Sequence, residues 1–223
     1  DQGLAARAVE CADDACKKLK RHACLPLPTP ARRARSGRPR RATRSVDTVC
    51  AARRLPPVGL RMSVRYADRV IALLGDLDPV TVLNATPLRV SSIVENLLPG
   101  DDALRYAPGK WDVRSLLAHL ADVEMVTGVR IRRVLSAPGT PVEAFEQDVW
   151  AERYAHLEPS LAVEAFRSLR SWNLALLATL TLDDWLAEGV HPVRGPESVD
   201  MMVRLLAGHD LNHLLQLDAA LAG

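Results

Sequence analysis

Near the C-terminus the chain reads His209-Asp210-Leu211-Asn212-His213. Histidines four residues apart project from one face of a helix, at about 100° per residue. Here that face is otherwise apolar, because the inward stripe runs Met202, Leu206, His209, His213, Leu217. Two polar rings one turn apart in such a stripe are costly unless something satisfies them. A divalent metal does so, since neutral imidazole is a common ligand for Zn, Ni and Fe. Two core histidines bonded to neighbouring side chains or water are the plain alternative. Asp follows His209, so this is not the zinc-peptidase pattern, which needs Glu there. A third ring, His119, lies between Leu116 and Val123 on the apolar side of another helical segment. Three protein ligands with open positions describe a catalytic metal site better than a closed structural one. The other histidines carry less: His22 lies in the basic N-terminal part, His156 near a helix start, and His191 before Pro192 in a loop that could line a site mouth.

The elements that must position these rings are helices. Ser63 is expected to cap a helix to about Leu74, with Val64, Ala67, Ile71 and Leu74 on one face. Thr86-Pro87 reads as a second start, followed by Val90, Ile93, Val94, Leu97 and Leu98 at helical spacing. Asp112 begins a third helix running to about Leu135, with Val113, Leu116, Leu117, Leu120 and Val123 inward. Pro159 opens a fourth, whose buried stripe is expected to be Ala162, Ala165, Phe166, Leu169, Leu176 and Leu180. Ser198 caps the last. No strand-like alternation of useful length is present. The pattern predicts an all-α fold: a four-helix bundle with a shorter leading helix. The 138–158 connection is long for a bundle and is expected to cross over it.

Composition divides the 223 residues in two. Residues 1–61 hold 15 Lys/Arg against 5 Asp/Glu, all four cysteines and no aromatic residue, whereas residues 62–223 hold 14 against 22. The first part cannot bury enough apolar surface to offset the entropy of ordering, so a disordered basic extension is expected. Seven arginines between Ala31 and Arg44 would bind nucleic acid through phosphate charge if the extension is genuine. Met62 is the first Met, and the working protein is expected to begin at or near it. The domains are thus a 1–61 extension and a 62–223 bundle. Cys11, Cys16, Cys24 and Cys50 contain no CxxC pair, which argues against a cysteine zinc site. No apolar run of about 18 residues exists, so no membrane helix is expected. The cysteine-free acidic part suits a reducing compartment, and a cytoplasmic location is expected.

Short motifs in order carry a resemblance. They are Pro108-Gly109-Lys110-Trp111-Asp112, then Leu117-Ala118-His119-Leu120-Ala121-Asp122-Val123-Glu124, Arg130, the Asp148–Trp150 segment, His191-Pro192 with Gly195, and His209-Asp210 with His213 and Gln216. From about Met62 to Gly223 the chain resembles the DinB/YfiT-like superfamily. The resemblance implies a four-helix bundle, often dimeric, holding a divalent metal on three histidines, which map to His119, His209 and His213. Such proteins include S-transferases and isomerases that use a low-molecular-weight thiol, and others labelled as metal-dependent hydrolases. The implied function is a metal-dependent enzyme of small-molecule metabolism or detoxification. Thiol-dependent S-transfer, hydrolysis and a non-catalytic metal-stabilised binding module stay open. A small-molecule substrate and a homodimer are the implied partners.

Neighbours of the three histidines follow from the helical wheel. Asp122 lies about 60° from His119 and is expected to accept an imidazole proton. Gln216 lies about 20° from His209. Glu124 points about 140° away from His119 and is expected to pair with another helix. Asp210 either orients a ligand or faces water. Trp150, in the long connection, is a candidate pocket wall, and Trp111 is read as an anchor under its loop. Arg130, Arg132 and Arg133 either steer an anionic thiol or form a solvated face.

Overall fold

A computed structural model describes residues 60–222. The expectations for residues 1–59 lie outside the described residues. Five longer helices carry the fold: α1 (Leu60–Leu74), α2 (Pro79–Glu95), α3 (Val113–Ser136), α5 (Pro159–Leu177) and α7 (Val199–Leu221). Two short helices, α4 (Gln147–Ala151) and α6 (Leu182–Leu186), interrupt the connections. An antiparallel hairpin, β1 (Glu188–His191) and β2 (Gly195–Ser198), leads into α7. The four-helix bundle is α2, α5, α3 and α7, with the shorter α1 laid along α7.

Helix starts follow the capping rules. Asp112 accepts the Ser115 N–H at 2.9 Å, and Ser198 accepts that of Met201 at 3.1 Å. Two expected starts are displaced. α1 begins at Leu60, so Ser63 lies inside it and the expected boundary at Met62 falls within a helix. α2 begins at Asp78-Pro79, where Asp78 accepts the Thr81 N–H at 2.7 Å. Thr86-Pro87 therefore sits mid-helix, and it can do so for a visible reason. Pro87 has no N–H for the carbonyl of Leu83, four residues back. That carbonyl accepts instead from Arg170 Nη1 at 2.8 Å, and the Thr86 hydroxyl bonds to Val82 O at 2.9 Å. The hairpin was also unforeseen. Its strands are four residues long and contain Gly189 and Pro196, too short and irregular to show alternation. Gly189 is needed there: a Cβ would lie 2.7 Å from Val134 of α3.

Contacts fix the helix directions. Glu124 and Gly128 of α3 meet Arg170 and Asn173 of α5 in the same order, so these two neighbours run parallel. His119 meets His209, while Ile131 and Val134 share a cluster with Val199–Leu206, so α3 and α7 run antiparallel. Parallel α3 and α5 oblige residues 137–158 to travel back along the bundle, which is the expected crossover. Its first part joins the hairpin, Val142 donating its N–H to Val190 O at 3.0 Å.

The interior is two apolar clusters. One gathers Leu116, Leu117, Leu120, Val163, Phe166 and Leu217, and the other Leu83, Ile131, Val134, Val203 and Leu206. On α5 the buried stripe is Ala162, Val163, Phe166, Arg170, Asn173, Leu177. The expected stripe is rotated from it: Ala165 is exposed and Leu169, Leu176 and Leu180 only half-buried. An apolar-only reading steps over Arg170 and Asn173, which occupy core positions.

On α7, Gly208 lets α1 approach to backbone contact. A Cβ there would stand 2.1 Å from the carbonyl oxygen of Val70. Because the obstacle is backbone, Gly208→Ala is expected to push α1 off α7 and cost about 1–3 kcal/mol. Urea denaturation checks this; an unchanged midpoint would show that the approach is looser.

Candidate metal centre

His119 enters from α3, about two turns after the Asp112 cap; His209 and His213 enter from α7, one turn apart. All three residues are buried, each 3–7% exposed. One ring nitrogen from each lies within 4.8 Å of the others. His119 Nε2 and His209 Nε2 are 3.0 Å apart. Two bonds of 2.0–2.1 Å meeting at a tetrahedral angle put such nitrogens about 3.3 Å apart, so the spacing suits one divalent ion with little movement. His213 Nδ1 is 2.8 Å from Gln216 Oε1. As the donor in that bond, Nδ1 carries the proton, and Nε2 keeps its lone pair for the centre. Gln216 thus serves His213 rather than His209.

Burial pushes the His119 and His213 imidazoles well below the usual histidine range, helped by the neighbouring rings. Burial, with the Arg194 charge behind it, takes His191 down to about 4. The unfolded chain therefore binds more protons than the native one as pH falls below 6.5. The sign follows: this contribution to stability is intact above that value and is lost progressively below it. Chelated protein should melt at a falling temperature from pH 7 to pH 5, by scanning calorimetry; a flat profile would contradict buried neutral rings.

Other expected neighbours are placed differently. Asp122 accepts from the Tyr154 hydroxyl at 2.8 Å, while His119 Nδ1 is buried without a hydrogen-bond partner. Asp122 is therefore not the acceptor for His119; its nearest donor comes from the crossover. Burial raises its carboxyl and, with Asp122 beside it, pushes Tyr154 up to about 12. His191 does not join the group. Its Nδ1 accepts the N–H groups of Val193 and Arg194 at 3.1 and 3.3 Å, committing the ring to its own hairpin. Trp150 reaches the site through Phe145: their ring centroids are 4.8 Å apart, and Phe145 lies 6.2 Å from His119. Trp111, read as a loop anchor, stands edge-on to His119 at 4.7 Å. Phe145 and Tyr66, 6.5 Å from His209, were not singled out, and neither spacing nor neighbours marked them. Arg130 donates to the Glu143 carbonyl and Arg132 to Asn173 Oδ1 at 2.6 Å. Neither contact turns them toward the three rings.

Behind the rings lies a buried charge network. Arg170 Nε donates to Glu124 Oε2 at 2.9 Å, and its Nη2 is 2.8 Å from the same oxygen. Its Nη1 donates to Asp210 Oδ2 at 2.8 Å. Asn173 Nδ2 donates to Glu124 Oε1 at 2.7 Å. Arg170, Glu124 and Asp210 are each at most 1% exposed. Glu124 does pair with another helix, as expected, but Arg170 was missed. Its signal was a charged residue at i+4 from Phe166 and i−7 from Leu177.

Comparisons place this architecture among known proteins. A YfiT structure from Bacillus subtilis, described as an unusual four-helix bundle topology, superposes with a TM-score of 0.59 at 23% identity. The match covers 63% of this chain and 83% of that one. A mycothiol-dependent maleylpyruvate isomerase shares the fold with a TM-score of 0.54 at 12% identity, over 62% of this chain and 59% of that one. In sequence, the Oceanobacillus iheyensis protein named "Putative metal-dependent hydrolase OB0413" is 27% identical over 60% of this chain and 78% of its own length. The Bacillus subtilis protein named "Putative metal-dependent hydrolase YfiT" is 26% identical over 51% of this chain and 65% of its own length. Among the described residues no helix is long and apolar enough to cross a membrane. The DinB superfamily profile matches residues 65–217, a span that contains all three histidines, and the chain belongs to that superfamily.

Proposed function

We propose that the chain is a metal-dependent enzyme acting on a small molecule, with a divalent ion held by His119, His209 and His213. The observation that carries this reading is the convergence of three buried ring nitrogens within 4.8 Å from two helices. A divalent ion on neutral ligands supplies Lewis acidity, which makes a water or thiol nucleophilic near neutral pH. The chain's own residues do the rest. The three imidazoles add no charge, Gln216 holds the orientation of His213, and Trp111, Phe145 and Tyr66 place aromatic surface around the rings. That surface favours an apolar or partly aromatic substrate and limits competing water. The names of the sequence relatives support a hydrolytic reaction. The shared fold of the mycothiol-dependent isomerase supports the thiol-transfer alternative.

Purified protein should contain close to one divalent ion per chain by mass spectrometry. Turnover should vanish on chelation and return with metal. Hydrolysis at full rate without thiol selects the first reaction, and an absolute need for added thiol selects the second. A metal-loaded protein without tight retention of the ion would sink the proposal.

A further inference from the structure

Two buried atoms behind the centre lack hydrogen-bond partners and face one another. His209 Nδ1 and Asp210 Oδ1 are both without a partner and stand 3.9 Å apart. The other oxygen of Asp210 is held by Arg170. Formal charge points the same way. Two carboxylates, Glu124 and Asp210, share one guanidinium, so the buried network carries one excess negative charge. Arg170 cannot swing away, because Nη1 is also tied to the Leu83 carbonyl that Pro87 leaves open. Arg170 of α5 thus holds Asp210 and is itself held by Leu83 of α2 and Glu124 of α3, while Asp210 and the ring beside it both lie on α7.

We infer that Asp210, clamped by Arg170, is a positioning residue for His209. A small closing of the 3.9 Å gap lets its free oxygen accept a hydrogen bond from His209 Nδ1–H, which fixes the ring as the Nδ1–H tautomer and turns the Nε2 lone pair to the centre. The excess negative charge then sits one imidazole away from the cation that the proposed function requires, and it is on that reading that the charge argument rests. In that tautomer His209 Nε2 is the acceptor of the 3.0 Å contact with His119 Nε2, and His119 the donor.

Asp210→Asn separates this role from a structural one. The amide oxygen can keep the bond to Arg170, which leaves NH₂ facing His209 Nδ1 and forces the proton onto Nε2. In metal-free wild type, ring ¹⁵N shifts should report Nδ1–H for His209; in the variant they should report Nε2–H. Zinc or nickel affinity, by competition with a chromophoric chelator, should fall roughly 10–100-fold. The metal-free variant should melt no lower than wild type, because the remaining Arg170–Glu124 pair is neutral. A merely structural Asp210 would give the reverse: a lower melting temperature with tautomer and affinity unchanged. If the variant does not fold, the wild-type spectrum decides, and Nε2–H on His209 overturns the inference. Wild type that shows Nδ1–H yet binds no metal would remove the proposed function and leave the positioning role standing.

Discussion

Arg170→Met is expected to remove about 3–5 kcal/mol of folding stability, the usual cost of leaving buried charges without their partner. The side chain is 1% exposed and is the shared cationic partner of Glu124 and Asp210, both of them buried. It also fills the hydrogen bond that Pro87 denies to Leu83, so α2 loses an anchor at the same time. Urea denaturation followed by circular dichroism measures the loss. Replacing the set together, with Arg170→Met, Glu124→Leu and Asp210→Leu, should cost less than the single change, because apolar substitutes of similar volume leave no orphaned charge. A single variant within about 1 kcal/mol of wild type would mean that the two carboxylates are protonated or hydrated at little cost.

Substituting any one of the three histidines should abolish metal retention while the bundle persists. His209→Ala or His213→Ala leaves two ligands, and bound metal after gel filtration should fall below roughly a tenth of the wild-type content, since stable sites of this kind need at least three protein ligands. Activity should disappear with it. Helical content should be preserved, because the apolar stripes of α3 and α7 do not depend on the rings. His156→Ala, at an exposed position, and His191→Ala, in the hairpin, should both retain the ion. Retention of metal by His119→Ala would show that the pair on α7 suffices with some other donor.

Much of this was legible from residue spacing. The two α7 histidines share a stripe with Leu206 and Leu217, and His119 lies on the apolar side of α3, so their common direction follows from helical periodicity alone. The caps at Asp112 and Ser198 are equally local. What stayed hidden depends on contacts far apart in the chain. Pro87 looks like a helix start until Arg170, 83 positions later, is seen to satisfy the carbonyl it frees. The true stripe of α5 includes Arg170 and Asn173, whose polarity disguises burial that distant partners, Glu124 and Asp210 foremost, satisfy. Asp122 satisfied the wheel geometry for His119, but Tyr154 from the crossover claims it. Phe145 had no local mark because its neighbour, His119, lies across the fold.

The parallel course of α3 and α5 has a consequence for chain length. To begin α5 beside the start of α3, the crossover must recover about 28 Å, the length of a 19-residue helix. An extended strand covers that in about nine residues. The segment 137–158 has 22. More than half of it is therefore surplus to topology, and the surplus is what forms α4, sets Phe145 against His119 with Trp150 behind it, and brings Tyr154 to Asp122. The shortest connector that preserved the bundle would leave His119 without this wall. Loop trimming, a routine way to stabilise a helical protein, would here remove residues that the helices do not need but the site does.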